Sequence, residues 1–514
     1  MERKNTVIKT TKITIIITAF AVVSKCLGFL RDAILAHYYG SSAISDIFIT
    51  TLSMPDILFE LIANSITIGF VPIATGMLSR QSSDEDINRF TSNVFSVFEI
   101  LACFFVGVIC VFARQIINVA APGFKGEYID IAVFFLRIIS VSMIFKTASS
   151  IFGAYMHTYK NFIPVSMYGA ITDTIIIGFN VLSVQKGYNL LPFGVLCGVF
   201  IQMVFSIICA VYTGFRYRAV IKLRDPNLRA MLMMFMPAIA ATGANQIIQL
   251  INKGLATTVS EGGVTLISNA NKMGYAAEMI IVLSIAAVMY PTLSALAAQN
   301  NNSGFKTELS KGLKNVLILM IPLTLALIMY ARPIIQILFG HGKYVDAVAY
   351  TAMLMKIYCC GIIGLSAYTI MIRALYANKM IVHSALCAVI SLGINITLSI
   401  VLTKTLGFGL AGIAVATSVT HTFSFVLALM MLRSRIGSFA GKAFAKTVVK
   451  TIISCVPMGL ASWFVFRLFS GISIIIALVL SALAGVIVYF LAMHLLKVDE
   501  VNDLIRQFKK KISR

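Results

Sequence analysis

The chain has 514 residues, 59% of them hydrophobic and 12% charged, with 42 Lys and Arg against 20 Asp and Glu. Soluble domains carry roughly a quarter of their residues as charges, and a mean hydropathy of +0.91 leaves more apolar surface than one aqueous core can hide. That sets aside soluble enzymes and nucleic-acid-binding modules and makes the bilayer the solvent.

Apolar windows of about twenty residues predict about fourteen spans. They open near Ile13, Asp46, Asn93, Ile129, Phe162, Leu190, Met231, Val264, Leu313, Ala347, Met380, Phe408, Thr447 and Ile472. The connections are too short for a soluble domain, so the expected fold is an all-α polytopic membrane protein. Every second loop is basic: "RKNTVIKTTK" at the start, "RYRAVIKLRDPNLR" from Arg216, "KTELSKGLK" from Lys306, "RSRIGSFAGKAFAK" from Arg433 and "RQFKKKISR" at the end. The alternate loops, such as "SEGG" at Ser260 and "QKGYN" at Gln185, are nearly bare. The positive-inside rule then places both termini in the cytoplasm, as an even span count requires, and assigns the basic excess to topology and anionic lipid headgroups rather than nucleic acid. The first apolar run lacks a small-residue cleavage site and is expected to be retained. Seven of the nine cysteines fall inside spans, and vicinal Cys359 and Cys360 lack metal-ligand spacing, so neither a disulfide framework nor a metal site is expected.

The two halves repeat. "FARQIINV" at Phe112 matches "YARPIIQI" at Tyr330, 218 residues on. Pro72 and Pro291 each close the second span of a half, "TYKN" at Thr158 answers "YANK" at Tyr376, and "LPFGVLCGV" at Leu191 answers "LGFGLAGIA" at Leu406. Spans 1–6 and 7–12 thus form two parallel six-helix repeats plus two C-terminal helices. The expected domains are an N-terminal lobe at 1–218, a C-terminal lobe at 219–435, and an appendage with a basic tail at 436–514. Parallel halves that rock around a central site are a transporter plan.

Ionisable groups inside spans are costly and point to function. Span 1 carries Lys25, Arg31 and Asp32; span 2 carries Asp46, Asp56 and Glu60; span 4 carries Arg137 and Lys146; span 5 carries Asp173. The second repeat adds Lys253, Lys272, Glu278, Lys356 and Arg373. Lys25, Gly28 and Asp32 share one helical face, with Arg31 roughly 120° away unless Gly28 loosens the turn. Thr242, Asn245, Gln249 and Asn252 form a polar stripe on span 7. Interhelical hydrogen bonding and internal ion pairing explain such groups one at a time; the whole set implies a water-filled cavity. Arg and Lys converging from both repeats suit a phosphate or diphosphate, while the acids hold the cations or carry protons or sodium.

"LGFLRDAILAHYYG" followed by "SDIF" resembles the opening signature of the MurJ (MviN) lipid II flippases, in the MOP exporter superfamily that also contains the MATE drug exporters. "FVPI" at Phe70, "APGF" at Ala121, "NFIPVSM" at Asn161, "YPTLS" at Tyr290, "LFGHGKY" at Leu338 and "RALYANK" at Arg373 extend the resemblance through about span 12. It implies two six-helix lobes plus two helices forming a groove for the lipid tail. It also implies flipping of lipid II, the peptidoglycan precursor, across the bacterial plasma membrane by alternating access, without catalysis or cofactor, by a protein acting as a monomer. The family's cationic pair in span 1 falls on Lys25 and Arg31, its acid at the start of span 2 on Asp46, and its arginine of span 8 on Lys272, beside Asn271. Lys25, Arg31, Lys272 and Asp46, with Asn252 from the span 7 stripe, are the expected substrate-binding residues. Asp32, Asp56, Glu60, Asn245, Gln249, Asn271, Lys253 and Arg373 are expected to support them or couple an ion, Na+ or H+. One departure stands out: many members carry Arg-Arg in span 2 where "MPDILFEL" places Phe59 and Glu60.

The alternatives are a flippase for another polyprenyl-diphosphate-linked oligosaccharide and a MATE-like cation-coupled exporter, against which the central cations argue. A glycosyltransferase resting on Asp84-Glu85-Asp86 lacks a catalytic loop, and a scaffold that keeps the fold should tolerate loss of the cations. "GSFAGKA" at Gly437 has the wrong spacing for a phosphate loop, so the energy must come from ion or voltage gradients, or from product consumption outside.

Overall fold

The computed structural model describes residues 2–439, 441–498 and 500–501, and among them every regular element is helical. In chain order, α1 spans Glu2–Tyr39, α2 Ala43–Ser79, α3 Asp84–Val111, α4 Ala113–Ala120, α5 Glu127–Thr158, α6 Ile163–Ser166, α7 Tyr168–Lys186, α8 Leu191–Tyr212 and α9 Pro226–Val259. There follow α10 Gly263–Ala298, α11 Asn302–Met329, α12 Ala331–Phe339, α13 Val348–Ala377, α14 Ile381–Ile400, α15 Leu410–Ile436, α16 Lys442–Phe469 and α17 Ile474–Leu495. Among the described residues, 11 helices are long and apolar enough to cross a membrane. With α1, α2 and α9, whose 38, 37 and 34 residues exceed the roughly twenty a crossing needs, they make up the expected spans. The chain is a multi-pass membrane protein. The basic tail at 506–514 and the side chain of Thr242 lie outside the described residues.

Local chemistry sets the helix ends. Ser83 and Asp86 form a reciprocal capping box at the start of α3, and Asn301 accepts from the Gly304 N–H at 2.9 Å at the start of α11. Asp225 caps α9 through the N–H groups of Asn227 and Leu228, with Pro226 at the first helical position, where its missing N–H costs nothing. Within α2, Pro55 removes a donor, and the neighbouring hydroxyls of Thr51 and Ser53 donate back to Ile47 and Thr50.

The repeat read from the sequence recurs in the backbone. Gln81 and Asn300 both end a helix in the left-handed region, at φ 58° and 54°; Lys160 and Lys379 do the same at 60° and 59°. Phe112 and Tyr330, the kinks between α3–α4 and α11–α12, have φ/ψ of −94°/15° and −104°/16°. Such agreement at corresponding positions fits two copies of one six-helix plan, with α16 and α17 appended.

By packing, the chain divides into one unit of Met1–Thr265 with Gly342–Tyr344 and another of Leu266–His341 with Val345–Arg514. In the first, α5 is the hub, flanked by α2, α3 and α8, while α1 pairs with α7 and α9 lies along α2. In the second, the repeat-equivalent α13 is the hub, flanked by α11 and α15, with α16 and α17 paired and α16 against α11. The repeat boundary at 218/219 marks sequence correspondence and the packing boundary marks contact; the second does not measure the first.

Candidate functional site

Ion pairs gather on α1 and α7 in the first unit. Arg31 donates to Asp173 Oδ1 at 2.8 Å and, through Nε and a terminal nitrogen, to Asp32 Oδ1 at 3.2 and 3.0 Å. Both carboxylates and the guanidinium are largely enclosed. Gly28 does not loosen the turn, because α1 is continuous through it. Its role is proximity: a β-carbon there would stand 3.2 Å from Asp173 Oδ2. Lys25 is exposed and, among the described residues, forms no ion pair.

A second group lies on α2, α5 and α9. Lys146 of α5 pairs with Asp56 of α2, and its ammonium stands 5.6 Å from the centre of the Phe59 ring. Gln246 of α9 donates to Glu60. Asp56 also attracts Arg31 and repels Glu60, so the two groups share one field.

Asp46 is placed differently from an open ligand group. It is 1% exposed and accepts from both the backbone N–H and the hydroxyl of Thr265 at 2.7 Å, capping the first turn of α10. On α9, Asn252 is buried, Lys253 is half-buried, and Asn245 and Gln249 are exposed. In the second unit, Lys272 is exposed on α10 beside half-buried Asn271, Arg373 is half-buried on α13, and Thr369 donates to buried Glu278 at 3.3 Å.

The structure thus brings Arg31 and Asp32 together with Asp173, and Asp56 and Glu60 with Lys146 and Gln246. Asp173 and Lys146 were visible as lone charges inside spans but not as partners. Opposite charges on spans 1, 2, 4 and 5 show that pairing is available, but not which residue meets which. Gln246 left no signal, since the period of the span 7 stripe points to its neighbours.

Two six-helix repeats with appended helices and ionisable side chains held inside the spans follow the plan of a multi-pass membrane transporter. The fold matches that of "Lipid II flippase MurJ, inward closed conformation" with a TM-score of 0.78 at 23% identity, over 96% of this chain and 100% of that one. An inward-facing MATE family multidrug transporter matches at 0.70 and 12% identity, over 81% and 98%. Residues 35–493 match the family described as Lipid II flippase MurJ, and the chain belongs to that family. A probable lipid II flippase MurJ of Buchnera aphidicola subsp. Schizaphis graminum is 24% identical, covering 95% of this chain and 97% of the relative. One of Thermotoga maritima is also 24% identical, covering 94% and 96%.

Proposed function

We propose that this protein flips lipid II from the cytoplasmic to the outer face of the bacterial plasma membrane, supplying peptidoglycan synthesis. Both termini lie in the cytoplasm on this reading. The site is exposed alternately to the two faces as the lobes, 1–218 and 219–435, rearrange, and the two appended helices, α16 and α17, take the lipid tail. The observation that carries the proposal is the set of cations inside the spans, Lys25 and Arg31 on α1 and Lys272 on α10, in a chain of this family. Cations in a low-dielectric site bind a diphosphate more strongly than in water. Asp32, Asp56, Glu60, Asn245, Gln249, Asn252, Asn271, Lys253 and Arg373 support the site or couple Na+ or H+, and Asp46 braces it from the start of α10. Each cation carried across the potential contributes about 2.3 kcal/mol per 100 mV.

The test is depletion in the host, followed by mass analysis of polyprenyl-linked precursors and their accessibility to a membrane-impermeant hydrolase. Lipid II should accumulate out of the hydrolase's reach. The Lys25→Ala/Lys272→Ala variant, which leaves the ion pairs of Arg31 intact, should fail to restore it at normal abundance, and full restoration would overturn the site. A second reading, another polyprenyl-diphosphate-linked glycan, is favoured by Phe59 and Glu60 in place of an arginine pair. Accumulation of that glycan would replace lipid II as substrate and leave the mechanism.

A further inference from the structure

We propose that Lys146 is a binding residue for the diphosphate of the carried lipid, and that Asp56 is the internal anion which the diphosphate displaces. The inference rests on the lipid-diphosphate reading above. Lys146 sits well inside α5, where an ammonium is held only by strong partners. It has two of different kinds. One is the Asp56 carboxylate; the other is the face of Phe59, 5.6 Å from the ammonium. The first is an anion that another anion replaces. The second is uncharged and keeps the ammonium in place while the exchange occurs.

The surroundings point the same way. The Asp56 side chain is 36% exposed and that of Lys146 17%, so the pair opens on the carboxylate side. Asp56 is also attracted by Arg31 and repelled by Glu60, whose carboxylate Gln246 holds. Asp56 is therefore the direct counterion of Lys146 and lies in the field of Arg31, a cation on a different helix whose own ion-pair partners are Asp32 and Asp173. A diphosphate carries its charge on two phosphoryl groups and is best met by two cations. A purely structural pair would need neither an aromatic second partner nor an open carboxylate. Where the family resemblance leads one to expect arginines on span 2, Phe59 and Glu60 stand instead. The cation at that level comes from the neighbouring helix, over the ring of Phe59.

The experiment is titration calorimetry on the full-length purified protein in detergent, with geranylgeranyl diphosphate as probe and geranylgeraniol as control. Lys146→Met should weaken diphosphate binding about tenfold or more, and Lys146→Arg should stay close to wild type. Asp56→Asn should tighten binding, since the competing anion is gone. Lys146→Met leaves Asp56 unpaired, so Asp56→Asn/Lys146→Met, which adds no net charge to the site, is the second test. Its affinity should fall below that of Asp56→Asn by the same factor. Equal affinity of wild type and Lys146→Met, or weaker binding by Asp56→Asn, would overturn the proposal while leaving the diphosphate reading intact. A wild type that binds the alcohol as well as the diphosphate overturns that reading itself.

Discussion

Arg31 and Asp173 join the first and seventh helices through one hydrogen-bonded ion pair of 2.8 Å, and Asp32 takes the other edge of the same guanidinium. Two enclosed carboxylates thus share one cation. Removing the cation takes this charge partner from both, whereas removing one carboxylate leaves a balanced pair. Arg31→Met should therefore destabilise the protein by about 3 kcal/mol and Asp173→Asn by clearly less. Arg31→Met/Asp173→Asn should recover part of the loss. Thermal unfolding in detergent checks the order; a larger loss for Asp173→Asn than for Arg31→Met would refute this account of the cluster.

The same contact limits what can replace Gly28. Alanine is the better helix former by about 1 kcal/mol, but its β-carbon would stand 3.2 Å from Asp173 Oδ2, tighter than comfortable contact. Gly28→Ala should be nearly neutral in stability, with a shift of Asp173 absorbing the crowding. Gly28→Val should push α7 from α1, break the pair with Arg31 and abolish complementation in a depleted host. A fully active Gly28→Val variant would show that the close approach is dispensable.

The sequence made the spans legible because each is a long apolar run. It made the repeat legible because Phe112 and Tyr330 sit at the same kink, and Gln81 and Asn300 at the same left-handed turn. The charged residues inside the spans were equally plain. Their partners were not. Helical period places Arg31 off the face of Lys25 and Asp32, but a guanidinium on a long stem bonds sideways to the next residue and outward to α7. Asp46 shows the converse limit. Its charge and position marked it as a ligand group, while its burial against Thr265 depends on where α10 begins, which periodicity does not fix.

Asp46 therefore offers a clean separation of bracing from binding. Asparagine keeps an oxygen for the Thr265 N–H and hydroxyl, so Asp46→Asn should retain most stability and support growth of a depleted host. Alanine leaves both donors buried without an acceptor, at about 1–3 kcal/mol, so Asp46→Ala should lower membrane abundance. The comparison is made by immunoblot and complementation together. Normal abundance with lost transport in Asp46→Asn would instead require the charge itself and return Asp46 to the binding group.

The end of the described chain suggests a last test, within the second unit. Tyr489 of α17 donates to the Ile318 carbonyl of α11 at 2.6 Å, and Lys314 of α11 pairs with Glu500 at 2.8 Å. Val498 and Val501 are 2% and 1% exposed, packed with Ile318, Cys455, Met458 and Met493. The residues after α17 thus fasten the appended helices to α11 by apolar burial, and the polar contacts only orient them. Tyr489→Phe should cost about 1 kcal/mol and Lys314→Met/Glu500→Gln little more, because a hydrophobic replacement of an enclosed pair is often neutral. Val501→Asp should cost far more, since it buries an unpaired carboxylate. Limited proteolysis between α15 and α16, followed with unfolding temperature, should therefore rank Val501→Asp well above the other two. Equal sensitivity of all three would mean that the ion pair, not the apolar contact, holds the appendage in place.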